Sequence, residues 1–174
     1  LYFQTSRTAA IRAGMMDASD IAYVDSMKFS GTLKENLKVR FGLETGGNIC
    51  DEKLGLSAYR DRILKRAADE RKKYNTYIGH LDMQEGDIAF FDFVAKGTTQ
   101  MYVQRLISLH MKGLYFLRLE PDFMSNKGLD IESFYKIDET EGSSIYDNYY
   151  VLETILTAPC PSVCGFDHTG EPLY

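Results

Sequence analysis

Residues 87–100 read DIAFFDFVAKGTTQ, and this stretch decides the fold. Asp87–Val94 is a nearly continuous apolar run, the pattern of a strand buried on both faces. Lys96 and Gly97 form a short loop, and Thr98 and Thr99 open a helix. Over Thr98–Met111 the side chains of Thr99, Tyr102, Val103, Leu106, Ile107 and His110 fall on one stripe, and Gly113 is the expected stop. A second apolar run, LYFLRL, follows at Leu114–Leu119. Strand, helix and strand in roughly 30 residues make a βαβ unit, which implies parallel pairing and a right-handed crossover. Asp87–Val94 is expected as a central strand paired with Leu114–Leu119.

Downstream, Ile131–Ile137 reads as a third strand. Ser143–Leu156 reads as a helix with Ile145, Tyr149, Leu152 and Leu156 on one face, stopped by Pro159 and Pro161. Ser162–Phe166 is a last short strand. Upstream the chain turns helical. Arg7–Met15 is a short helix, Ser19 an N-cap for Asp20–Met27, and Thr32 an N-cap for Leu33–Phe41 with Gly42 as the stop. Residues 44–56 hold three glycines and read as a loop. Ser57 caps a long helix to Leu81, in which Tyr59, Ile63, Ala67, Tyr74, Ile78 and Leu81 share a face. The fold class expected is α/β: a small, mostly parallel, Rossmann-like sheet flanked by helices, with an N-terminal helical accessory layer. One domain is expected over residues 7–174, with a helical part at 7–56 packed on a βαβ core at 57–174.

Composition narrows the function. The apolar fraction is 44% and the aromatic fraction 13%, within a formal net charge of −5. That balance argues against a general nucleic-acid binder, which needs excess Lys and Arg to neutralise phosphates. No apolar run approaches the ~20 residues of a membrane span. Cys50, Cys160 and Cys164 are odd in number and unevenly spaced, so a reducing, cytoplasmic setting fits better than a disulfide framework. The first six residues, LYFQTS, read as the tail of a protease-cleavage tag, and no initiator Met follows, so the segment is expected to come from within a longer gene product.

The strand–loop–helix at 92–100 is the motif that suggests chemistry. In open α/β sheets ligands bind at the carboxyl ends of strands, and helix N-termini favour anions. Asp92, placed at the strand's end, is the candidate catalytic residue, able to hold a metal, a ribose hydroxyl or a reacting proton. Lys96 supplies positive charge, Gly97 close backbone approach, and Thr98, Thr99 and Gln100 polar contacts. Arg118 and Glu120, at the end of the neighbouring strand, complete the candidate ligand set. The alternative reading is a plain βα turn with a Thr cap. The glycine spacing is neither that of a Walker A loop nor that of a dinucleotide fingerprint. It also misses the Asp-x-Asp-Gly-Thr strand end of haloacid-dehalogenase-type phosphatases and the two adjacent acids of phosphoribosyltransferases.

Other candidates are weaker. Cys160, Cys164 and His168 lack a fourth ligand and a scaffold for a metal, and no metal site is expected. Asp147, Asn148 and Glu153 either line a cleft opposite the 92–100 loop or decorate an amphipathic helix. His80 and His110 read as helix-end residues. Arg60–Lys73 carries seven basic residues and reads as a solvated face or as a surface for an anionic partner.

One resemblance covers much of the chain. IAFFDFVAKGTTQ with KGLYFLRLE, and YDNYYVLETILTAPCPSVCGF at Tyr146–Phe166, resemble a region of bacterial surface-polysaccharide biosynthesis proteins that lies beside glycosyltransferase or haloacid-dehalogenase-like modules. That pattern runs Asp-x-Gly-x-x-Gly-Thr-x-Gln; Asp92, Gly97, Thr98 and Gln100 match it, and Val94 stands at the first glycine. The resemblance implies a module of surface-polysaccharide biosynthesis, and the Lys96-Gly97-Thr98-Thr99 loop on a helix N-terminus points to a nucleotide sugar or phosphosugar as its ligand. Two alternatives stand beside it: a non-catalytic docking domain for the catalytic part of its parent chain, and a degenerate phosphotransfer or phosphoribosyl-transfer enzyme. No cofactor is assigned.

Overall fold

The computed structural model describes residues 5–45, 54–81, 83, 86–136, 144–157, 159 and 161–174. The chain forms two compact units, Leu1–Met83 with Ser162–Tyr174, and Gln84–Pro161. The units thus divide elsewhere than at residue 56: the long helix and the last residues belong with the N-terminal helices, because their apolar side chains are buried together.

In the helical unit, helices α1 (Arg7–Gly14), α2 (Ala18–Ser26) and α3 (Leu33–Phe41) lead to the long helix α4 (Arg60–His80). Local chemistry sets their starts. The Ser6 hydroxyl accepts the Ala9 N–H at 3.1 Å. Thr32 and Glu35 form a reciprocal capping box at α3, and Gly42, left-handed at φ 64°, ends it. The cap of α2 is Asp17 and not Ser19: the Asp17 carboxylate accepts from the amides of Ser19 and Asp20, and Asp20 reaches back. Nor does Ser57 cap α4, since the chain passes through a 3₁₀ turn at Leu56–Tyr59 first. Ile63, Ala67, Tyr74 and Tyr77 of α4 are buried. Against them lies a hairpin, β4 (Gly165–Phe166) with β5 (Pro172–Leu173), paired antiparallel; the expected strand at 162–166 is only its first arm. Phe166 stacks on Tyr77 at 4.4 Å and meets Tyr74 edge-on at 4.8 Å.

Three arginines close the helix ends of this unit. Arg71 donates to the carbonyls of Ala13 and Met15 at the end of α1. Arg40 donates to those of Val24, Met27 and Lys28 at the end of α2. Arg12 donates to those of Lys38 and Val39 at the end of α3 and to Cys164. Each of α1, α2 and α3 thus has carbonyls at its end satisfied by a cation from another helix, where the macrodipole also favours one.

The sheet unit contains β1 (Ile88–Ala95), α5 (Thr98–Gln104), β2 (Met111–Arg118), α6 (Pro121–Asn126), β3 (Ile131–Lys136) and α7 (Ser144–Leu156). The strands pair in parallel in the order β1-β2-β3, as the βαβ pattern predicts for the first two. The centre, however, is β2; β1 is an edge strand, with Phe91 exposed. The crossover helix ends at Gln104, so Gly113 lies inside β2 and is not a helix stop. Helix α6 is an element the sequence reading lacks. Ile137 and Ser143 fall outside the described residues.

Consecutive strands joined by crossovers of one hand place both helices on one side. Met111, Tyr115 and Leu117 of β2 are buried on that side. Gln100 of α5 reaches Tyr115 there, and Met124 of α6 lies beside Gly97. The other side shows Phe91, Leu114 and Phe134, exposed at 69, 39 and 81%. Phe93 and Phe116 stack between them at 4.5 Å. The stripe expected to bury α7 does not do so: Leu152 and Leu156 are exposed. The side chain of Ile145 is outside the description.

Candidate functional site

The strand–loop–helix forms where the sequence places it, but its residues part company. Gly97 is left-handed at φ 91°. A Cβ on it would lie 2.7 Å from Leu129 Cδ1 and 3.3 Å from Ile131 Cδ1. Its lack of a side chain therefore serves packing against the turn into β3. Thr98 is buried and Thr99 half-buried.

Gln100 is fully buried. Its Nε2 donates to the carbonyls of Met111 at 3.4 Å and Asp130 at 3.2 Å. Its Oε1 accepts the Tyr115 hydroxyl at 3.0 Å. All three contacts are internal, so Gln100 ties α5 to β2 and the turn before β3. Gly113 makes this possible, because a Cβ there would overlap Oε1. The signal that could have revealed the pair is a lone glycine in an otherwise apolar strand, which marks close approach of another group.

Asp92 does not end its strand. β1 continues to Ala95, leaving Asp92 roughly 10 Å short of the carboxyl edge at about 3.3 Å per residue. It sits opposite Tyr115 in the register, and its Oδ1 accepts the Phe93 N–H at 2.9 Å. Burial above all, and then the Asp92 charge, push the Tyr115 hydroxyl well above its usual range.

Lys96 and Glu120 pair at the carboxyl edge, where β2 ends at Arg118. Arg118 pairs in register with Ala95. Lys96 Nζ lies 3.2 and 3.4 Å from the two Glu120 oxygens and 5.5 Å above the Phe123 ring. Glu120 precedes α6 in a left-handed conformation, φ 48°, the one non-glycine residue with positive φ among the described residues.

At the opposite end of the sheet His110 is not a helix-end residue. Its ring nitrogens lie 3.2 Å from Asp87 and 3.2 Å from Asp130. Nearby Lys112 pairs with Glu132 at 2.9 Å, which raises the lysine pKa and lowers that of the glutamate. His80 is the exposed last residue of α4. Asp147, Asn148 and Glu153 are exposed on α7, and Asn148 Nδ2 bonds back to Ser144 O at 2.8 Å. The basic run of α4 is partly absorbed by Arg66–Glu70, Lys73–Glu70 and the Arg71 carbonyl contacts. Cys50 and Cys160 lie outside the described residues. Among the described ones Cys164 is free and exposed, no group of three or more His, Cys, Asp or Glu is disposed to hold a metal ion, and no helix is long and apolar enough to cross a membrane.

Comparison of the chain with protein families, curated proteins and solved structures gives no match.

Proposed function

We propose that the sheet unit is a docking module that pairs with a second copy of itself, α7 of each copy lying on the exposed sheet face of the other. One observation carries this reading. Among the described residues, the same unit exposes large apolar side chains both on one face of its parallel sheet and along one helix. On the sheet these are Phe91, Leu114 and Phe134; on α7 they are Val151, Leu152, Ile155 (72% exposed) and Leu156 (67%). Parallel sheets are ordinarily covered on both faces, and contiguous apolar surface of this kind marks interaction sites. Charge agrees. Helix α7 carries Asp147 and Glu153 and no base. The sheet face is bordered by Arg118 and by the internally neutral Lys112–Glu132 pair. Reciprocal exchange closes with two-fold symmetry.

Sedimentation of the full chain tests it. The wild type should show a concentration-dependent dimer, and Phe134→Asp and Ile155→Asp should each be monomeric. An equimolar mixture of the two variants should regain part of the dimer, because one intact helix can meet one intact sheet. A dimer lost in Phe134→Asp but kept in Ile155→Asp would mean sheet-on-sheet packing and sink the exchange. A monomer at every concentration would assign the face to another chain, such as the catalytic part of its parent.

A second reading keeps the ligand: a Rossmann-like, cytoplasmic module of surface-polysaccharide biosynthesis, taking a nucleotide sugar or phosphosugar at the edge formed by Lys96, Arg118 and Glu120. The resemblance supports it, and so does Glu120, since a left-handed non-glycine residue is backbone strain of the sort that collects at functional sites. Thermal shifts with nucleotide sugars and phosphosugars should then vanish in Lys96→Ala without a change in the unliganded melting temperature. The absence of any shift in the wild type would end this reading.

A further inference from the structure

In the helical unit a cleft of about 720 Å³ opens where the first turn of α1, the end of α3, α4 and the segment before β4 converge. Four cations line it, Arg7, Arg12, Lys38 and Arg66, against one carboxylate, Glu44. The chain as a whole has a formal net charge of −5, so positive charge is gathered here against the overall balance. Clefts lined by one sign of charge concentrate counter-ions.

Two acids, Glu44 and Glu70, offset part of this charge. Glu44 pairs with Lys38 at 3.1 Å in an exposed contact, which is worth little in water. Glu70, buried on α4 itself, takes both Arg66 at 2.6 Å and Lys73 at 3.5 Å. The Arg12 Nη groups donate to the carbonyls of Cys164, Lys38 and Val39, which stabilise the guanidinium but leave its charge in place. Burial above all lowers the Arg12 pKa; the charge of Glu70 works against this, and the like charge of Arg66 adds a smaller lowering. Both guanidiniums converge on Gly42: a Cβ there would lie 3.4 Å from Arg66 Nε and 3.6 Å from Arg12 Cζ. The residue that ends α3 thus also leaves room between two like charges.

We propose that this cleft binds a multiply charged oxyanion, the phosphate of a small phosphorylated ligand. A carboxylate brings one negative charge; a phosphate carries close to two, with three acceptor oxygens. With the Arg12 Nη groups committed to carbonyls, the contacts fall to Lys38, whose pair with Glu44 is exposed, and to Arg66, which keeps an unpartnered Nε beside its pair with Glu70, with Arg7 at the rim. Arg12 contributes its field, and the first turn of α1 adds partial positive charge.

Calorimetry on the full chain at constant ionic strength, with inorganic phosphate, pyrophosphate and acetate as probes, tests this. Saturable binding is expected for pyrophosphate, weaker binding for phosphate, and none for acetate. Lys38→Ala and Arg66→Gln should each weaken pyrophosphate binding on the order of tenfold, as loss of one charge-assisted contact does. Lys34→Ala, exposed on α3 and outside the cleft lining, should leave it unchanged. No saturable binding of pyrophosphate to the folded chain would overturn the proposal. So would equal binding of acetate, or full retention of binding in both Lys38→Ala, an exposed side chain whose loss leaves the fold intact, and Arg66→Gln. A loss in Lys96→Ala instead would move the anion to the sheet edge.

Discussion

The Tyr115 hydroxyl donates to Gln100 Oε1 at 3.0 Å, over the one position of β2, Gly113, that has no side chain. The three residues form one device. Gly113 makes space, Gln100 fills it from α5, and Tyr115 satisfies the acceptor that burial would otherwise leave unpaired. The motif residue that most resembles a ligand contact is spent on holding crossover and sheet together.

Gly113→Ala should therefore destabilise the sheet unit by about 1–3 kcal/mol, through overpacking and loss of the buried hydrogen bonds. Gln100→Ala should also destabilise, since it strands the Tyr115 hydroxyl. The double variant should be less destabilised than the sum, because the second change removes the side chain the new methyl would strike. Urea denaturation of the four proteins measures the coupling, and strict additivity would contradict the device.

Arg40→Met should weaken the helical unit by about 1–2 kcal/mol, because three carbonyls at the end of α2 lose their donor. Arg40→Lys should recover less than half of that, since one ammonium cannot span the three acceptors as a guanidinium does. Hydrogen exchange at the α2 amides, read beside global denaturation, would show whether the loss begins at that helix.

Stability should fall as the pH rises above about 10, where unfolded tyrosines ionise. The pKa of Tyr74 is raised chiefly by burial, and that of Tyr115 by burial and then by Asp92. A raised folded pKa means the native state holds its proton when the unfolded chain has lost it. The stabilisation is complete below the unfolded value and declines as pH climbs toward the folded one. Tyr115→Phe should flatten the decline relative to wild type between pH ~10 and ~12. Parallel curves for the two proteins, from urea titrations across that range, would refute the assignment.

What the sequence made legible was local. Thr32 and Gly42 announce α3 because a capping box and a left-handed stop involve only neighbours along the chain. The two apolar runs announce parallel pairing because a short crossover leaves few other choices. The misplaced features depend on distant partners. β1 outlasts Asp92 because its length follows the register with β2, where Ala95 still pairs with Arg118. Gln100 looks like a polar contact until Gly113, on the next strand, shows where the space is. Pro121 stands at the first position of α6, where its missing N–H has no cost. Exposure of α7 could not be foreseen, because an apolar stripe specifies a need for a partner and not its location.

The strand order has one more consequence. In open α/β sheets the ligand crevice forms at a topological switch point, where successive crossovers leave toward opposite sides. The order β1-β2-β3 contains no such reversal. A single further parallel strand on the outer edge of β1, reached by a helix crossing the exposed aromatic side, would create one at the carboxyl end of β1, where Lys96 stands. Read in that light, the unit is one flank of a cleft architecture, and ownership of the crevice would pass to whichever polypeptide donated that strand.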